Sequence, residues 1–169
     1  DTLIGWKEDF HMTYMDHVPA QRRAASYLQN VMKEFPKGRF LVAGHSKGGN
    51  LATYACSYLP DQLSEQVHAI YCYDAPGLNK SIIKTEGYQR IAHLIHRFVP
   101  QGSIVGMMLE VPEPTTIVKS RAFGGFAQHD AFTWMVEKDG FVTLDQTNPD
   151  SQQTDETLKQ WVRETSADE

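Results

Sequence analysis

The sequence predicts an α/β domain whose sheet is mostly parallel and covered by helices on both faces. Three observations carry that expectation. Short apolar runs bounded by turn residues alternate with stretches of helical periodicity through the first hundred or so residues, the pattern of βαβ units. The first such run leads into Gly44-His45-Ser46-Lys47-Gly48, with a helical pattern directly behind it. The second run ends on Asp74. Ser46 and Asp74 therefore both fall at carboxyl ends of strands, where α/β sheets hold their chemistry.

Taken in order, Asp1 to Asp9 is a polar, loop-like start carrying Gly5 and Trp6. From Pro19, the residues Ala20, Ala24, Tyr27, Leu28, Val31, Met32 and Phe35 recur at steps of three and four, which predicts an amphipathic helix with that face buried. Pro36-Lys37-Gly38 stops it. Phe40-Leu41-Val42-Ala43 reads as a buried strand, and Leu51, Ala55, Tyr58 and Leu59 mark the following helix up to Pro60-Asp61. A short polar segment leads to a second strand, His68 to Tyr73, rich in aromatic and β-branched residues. After the turn Asp74-Ala75-Pro76-Gly77, Asn79 to Thr85 is expected as a short helix ending near Gly87. The latter half of Ile91 to Val99 supplies a third strand, closed by Pro100.

Ile104 to Val111 is almost wholly apolar and too short to separate helix from strand. Thr115 to Ser120 alternates like an exposed strand. Phe132 to Val136 and Phe141 to Leu144, joined across Asp139-Gly140, are expected to form a hairpin. Asp150 to Glu164, with Leu158, Trp161 and Val162, has the pattern of an amphipathic terminal helix. There are no internal repeats and no low-complexity tract.

At 169 residues the chain is expected to be one domain with a sizeable core. A formal charge of −5 and the lack of any Lys/Arg cluster argue against nucleic-acid binding. The two cysteines, Cys56 and Cys72, sit in apolar patterns and read as core residues, not as a disulfide or a zinc site. No stretch reaches the length of a transmembrane helix and no signal peptide is visible, so a cytoplasmic protein is the expectation.

A serine between glycines at a strand-to-helix turn is the nucleophile elbow, G-x-S-x-G. The turn is tight enough to strain the serine backbone, and a Cβ at Gly44 or Gly48 is expected to clash. The helix behind it aims backbone N–H groups at developing negative charge. Such a serine needs a base, and the base needs an orienting group. In the order Ser, acid, His, the base comes last. Of seven histidines, His11 and His17 precede the elbow, and His45 diverges from Ser46 by adjacency. His68 begins a strand, and His93 and His96 belong in or before the third. His129, in the late loop Ala127-Gln128-His129-Asp130, is the candidate base. Asp74 is the candidate acid. Asp130 is too near His129 in sequence, Asp145 and Glu110 are distant outsiders, and Gln101-Gly102-Ser103 carries no charge. The Lys47 backbone N–H is one oxyanion donor, and the extreme amino terminus, at Thr2, is the candidate for the second. No cofactor or metal is required.

Gly44-His45-Ser46-Lys47-Gly48-Gly49-Asn50-Leu51-Ala52, Trp6-Lys7-Glu8-Asp9, Pro100 to Met107 and Gln128-His129-Asp130 together resemble the lipase class 3 branch of the α/β-hydrolases. The nearest resemblance is to a bacterial family of lipase-like proteins of unknown function. It covers nearly the whole chain. It implies an α/β-hydrolase-type sheet and an esterase or lipase, with Ser46 as nucleophile and His129 as base. Two departures stand out. Class 3 lipases place their acid after the strand that here ends in Gln101-Gly102-Ser103, whereas Asp74 resembles the arrangement of pancreatic-type lipases. The strands and oxyanion segment that precede the elbow in that family have no counterpart here. The resemblance thus implies a carboxyl-terminal portion of a larger chain, with an apolar elbow-strand edge covered by a partner chain, a retained amino-terminal fragment or a homodimer. Two functions follow: a serine hydrolase acting on a small ester or lipid, or a non-catalytic hydrolase-fold scaffold or regulatory binding module.

Overall fold

The structure is a computed structural model that describes residues 17–109 and 111–148. Helix α1 (Pro19–Glu34) is followed by β1 (Phe40–His45), α2 (Lys47–Ser57), the one-turn α3 (Asp61–Ser64) and β2 (Val67–Tyr73). Then come α4 (Lys80–Ile83), α5 (Glu86–Ile91), β3 (Ile95–Pro100) and β4 (Thr115–Val118). The one-turn α6 (Gly125–Gln128) precedes three short strands, β5 (Val136–Glu137), β6 (Gly140–Phe141) and β7 (Thr143–Leu144). The main sheet has the order β1-β2-β3-β4-β7, with β1 to β4 parallel and β7 antiparallel to β4. It is an α/β fold of the α/β-hydrolase type, a mostly parallel sheet flanked by helices.

Register explains the two faces of the sheet. Val42 pairs with Ile70 and Ile70 with Ile95, and these side chains meet α2 and α5 in one apolar core built on Met32, Ile70, Ile82 and Ile91. The alternate residues, Tyr71, Tyr73, His96 and Phe98, point to the other face and stack in pairs, Tyr71 on His96 at 5.1 Å and Tyr73 on Phe98 at 5.5 Å. Trp134 and Phe141 close on that ladder, each within 6.3 Å of Tyr73.

Several expectations change in detail. The buried line of α1 is Gln21, Ala25, Leu28 and Met32, while Tyr27 and Phe35 lie in solvent. Gln21 earns its buried place through bonds: its Oε1 accepts from Val18 N–H and its Nε2 donates to Asn50 Oδ1, whose own Nδ2 donates to the Gly77 carbonyl. A polar relay of this kind is invisible to apolar periodicity. The elbow strand is not a fully buried strand. Among the described strands it is the sheet edge, and Leu41 is 68% exposed.

The polar link after Pro60 contains α3, and the helix expected to end near Gly87 is two helices. Asn79 and Thr85 each start one, accepting from the N–H of Ser81 and Tyr88. Ile104 to Leu109 resolves into a single 3-10 turn, Val105–Met107. Thr115–Val118 is an interior strand ending on a fully buried Val118, because β7 pairs on its outer side. The expected hairpin is shorter: β5 pairs with β6 alone, and β7 joins the main sheet. The expected terminal helix, Asp150 to Glu164, lies outside the described residues.

The elbow itself is tightly built. A Cβ on Gly44 would sit 2.2 Å from the Gly48 carbonyl, so α2 can cross β1 this closely only because Gly44 has no side chain. The expectation for Gly48 is corrected, since a Cβ there meets nothing within 4 Å. The second required glycine is Gly49, where a Cβ would lie 2.4 Å from the Ala75 Cβ. Gly49 faces the turn after β2, whereas Gly48 faces away from it. Gly44→Ala is expected to lower the unfolding free energy by about 1–3 kcal/mol or more, as overpacking does. Gly48→Ala should be neutral or stabilising by up to about 1 kcal/mol. Urea denaturation of the two variants checks the contrast, and equal losses would show that this close approach does not govern the elbow.

Candidate active site

The site is assembled from the carboxyl ends of β1 and β2 and from the loop behind α6. β1 runs directly into Ser46, whose backbone takes φ 56° and ψ −132° before α2 begins at Lys47. A non-glycine residue there is strained, and the surrounding contacts must hold it. They do so from both sides: Ser46 N–H donates to the Tyr73 carbonyl at 2.9 Å, and the Ser46 carbonyl accepts from Gly49 N–H at 3.0 Å.

Asp74 continues β2 into its turn and is also held at positive φ, 43°. Its N–H donates to the Phe98 carbonyl at 2.7 Å, which fixes the turn against β3. The side chain is fully buried. A carboxylate so placed loses its hydration, at several kcal/mol for an unpaired ion, and must be compensated by donors. Oδ1 accepts a hydrogen bond from the Ser103 hydroxyl and another from Gly106 N–H at 3.0 Å. Oδ2 lies 2.6 Å from His129 Nδ1. On the far side of that ring, His129 Nε2 lies 2.9 Å from Ser46 Oγ.

The sequence-predicted Ser46, His129 and Asp74 thus stand in one hydrogen-bonded line, although 83 positions separate Ser46 from His129. With Asp74 accepting at Nδ1, the neutral ring presents a lone pair at Nε2 toward the serine hydroxyl. Lys47 is the first residue of α2, so its N–H belongs to the helix start beside Ser46. Thr2 lies outside the described residues.

Besides the Gly106 amide, four side chains outside the predicted set hold this line in place. Ser103, which carries no charge and closes the segment Gln101-Gly102-Ser103, donates its hydroxyl to Asp74. Arg97 is buried on β3, its Nη2 donating to the Ala75 carbonyl at 2.6 Å and the Gly106 carbonyl at 3.0 Å. It therefore ties the Asp74 turn to the segment that supplies the Gly106 amide. Burial lowers the Arg97 pKa, and the nearby Asp74 charge works against that. An arginine at the alternate position between the apolar Ile95 and Val99 is the sequence signal for it.

Gln128 is buried beside the base, with Oε1 accepting from Gly102 N–H at 2.7 Å and Nε2 donating to the Ala122 carbonyl at 3.0 Å. Trp134 Nε1 donates to the Gln128 carbonyl at 2.8 Å. No local pattern marks these two, because their partners are distant loop backbone groups. The cysteines are no rivals to the serine: burial pushes the Cys56 thiol up to about 12 and raises Cys72 as well.

Ser103→Ala removes one of the two donors to a buried carboxylate oxygen. It should destabilise the protein by about 1–3 kcal/mol. Ser103→Thr, which keeps the hydroxyl, should lose less. Chemical denaturation of both variants measures the difference, and an unchanged Ser103→Ala midpoint would mean that Asp74 does not depend on this bond.

No curated protein matches the chain. A family model matches residues 1–169, and the chain belongs to the Mbeg1-like family, a lipase-like family.

Proposed function

We propose that this protein is a serine hydrolase that cleaves carboxylic esters, either small esters or lipids, through an acyl-enzyme on Ser46. The observation that carries this reading is the line from Ser46 Oγ through His129 to Asp74, at 2.9 Å and 2.6 Å. His129 Nε2 takes the Ser46 proton as Oγ attacks the ester carbonyl carbon, and the carbonyl oxygen becomes an oxyanion. Asp74 stays ionised and stabilises the imidazolium. The Lys47 backbone N–H is the proposed oxyanion donor, with Thr2 proposed for the second. His129 returns the proton to the departing alkoxide, which leaves as the alcohol. Water then repeats the path on the acyl-serine, releasing the acid and restoring Ser46.

A scaffold reading rests on the missing carboxylate after β3 and on an incomplete oxyanion hole. Asp74, one strand over, places its charge on His129 instead, which favours the hydrolase. Among the described strands β1 is outermost on its side of the sheet, and Leu41 is 68% exposed, which supports a partner along that edge, either an amino-terminal fragment or a second copy of the chain.

Ser46→Ala should abolish turnover of p-nitrophenyl esters, and Asp74→Asn should lower kcat by on the order of ten-thousandfold by leaving the imidazole in the wrong tautomer. Steady-state assays with purified protein check both. Turnover by Ser46→Ala equal to that of the unaltered chain would end this reading.

A further inference from the structure

We infer that His45, the residue before the nucleophile, is a positioning residue that clamps the main chain of the base. This rests on the hydrolase reading of Ser46, His129 and Asp74 and deepens it. His45 diverges from the Ser46 side chain, as neighbouring residues do, and turns instead to the loop behind α6. Its Nε2 lies 2.7 Å from the His129 carbonyl oxygen. The two imidazole rings are in contact but tilted, with centroids 4.6 Å apart and planes 35° from each other.

The loop that carries the base needs such a clamp. α6 is a single turn, entered through Gly124 at φ 83°. Around it Phe123, Phe126 and Phe132 are 96%, 68% and 89% exposed, so apolar packing does little to fix this segment. Backbone bonds to Gly125 and Phe126 satisfy the His129 N–H. The His129 carbonyl lies at the end of the turn, where no intrahelical donor remains. The preceding residue, Gln128, is held by its own side-chain bonds to Gly102 and Ala122 and by the Trp134 indole N–H. His45 holds the His129 carbonyl.

The effect is specific to the geometry of proton transfer. The peptide between His45 and Ser46 links the nucleophile directly to the residue that grips the base. Motion of the exposed loop then carries little into the separation of Ser46 Oγ and His129 Nε2, which must stay within hydrogen-bond reach through each transfer. A carbonyl acceptor requires His45 Nε2 to carry its hydrogen, which leaves Nδ1 as acceptor in the neutral ring.

Three variants separate the donor from the ring. His45→Gln places an amide N–H at the reach of Nε2, His45→Phe keeps an aromatic ring without a donor, and His45→Ala removes both. The full chain and each variant are treated with a fluorophosphonate, and the rate of Ser46 modification is measured below the melting point of every variant. His45→Phe and His45→Ala should react about tenfold more slowly, on the scale of one lost hydrogen bond. His45→Gln should stay within about threefold of the unaltered chain.

A His45→Phe rate equal to that of the unaltered protein, or a His45→Gln rate as low as that of His45→Ala, overturns the clamp. If the unaltered protein itself resists the probe, the hydrolase reading fails. The clamp is then judged by proton NMR of the His129 Nδ1–H facing Asp74. A resonance displaced or exchange-broadened by His45→Phe and retained by His45→Gln supports it, and one unchanged in both overturns it.

Discussion

The constraint on which the site depends is a carboxylate taken wholly out of water. Asp74 is fully buried at the end of β2, and each of its oxygens has to be met by a donor. Two parts of the chain supply three donors: the Ser103 hydroxyl and the Gly106 amide from the segment after β3, and the His129 ring from the loop after α6. Arg97 acts one step removed, gripping the Ala75 and Gly106 carbonyls so that turn and amide stay in register. Burying the charge therefore organises the segment after β3 and the loop after α6 around the end of β2. The same donors that compensate desolvation leave Oδ2 aimed at His129, so stability and geometry draw on one set of contacts.

A second constraint works on the other side of the serine. Positive φ at Ser46 is held by the close crossing of α2 over β1, for which Gly44 and Gly49 leave room. Strain there persists because the packing around it is dense: α2 is buried over most of its length, against β1 and β2 on one side and α1 on another. The relay from Gln21 through Asn50 to the Gly77 carbonyl joins α1, α2 and the turn that follows Asp74. Two turns with non-glycine residues at positive φ, at Ser46 and Asp74, are thus braced by the same helix.

The parts of this architecture that were legible along the chain share a physical property: they depend on near neighbours. The strand–glycine–serine–helix order, the second strand ending on Asp74, and the helix stop at Pro36-Lys37-Gly38 follow from steric and turn preferences acting over a few residues. Where burial comes from distant partners, local patterns mislead. Tyr27 and Phe35 keep to the apolar spacing of α1 and yet lie in solvent, while Gln21 is buried through a bond to Asn50, 29 positions away. Gly48 fits the motif, but Gly49 bears the contact, because the turn after β2 decides which helix face is crowded.

By itself the sequence determined the fold class, the position of the elbow and the short set of side chains that can do acyl chemistry. Those follow from periodicity and residue type, which backbone sterics translate into structure locally. Only the tertiary structure decided that Asp74, the acid candidate read from the sequence, meets the His129 ring, and that the Ser103 hydroxyl donates to it. It alone placed His45 against the base. These are juxtapositions across 29, 55 and 84 positions, set by the parallel register of β1, β2 and β3 and by the packing of a loop over their ends. No spacing along the chain encodes them, because sheet register brings together residues whose separation in sequence is arbitrary.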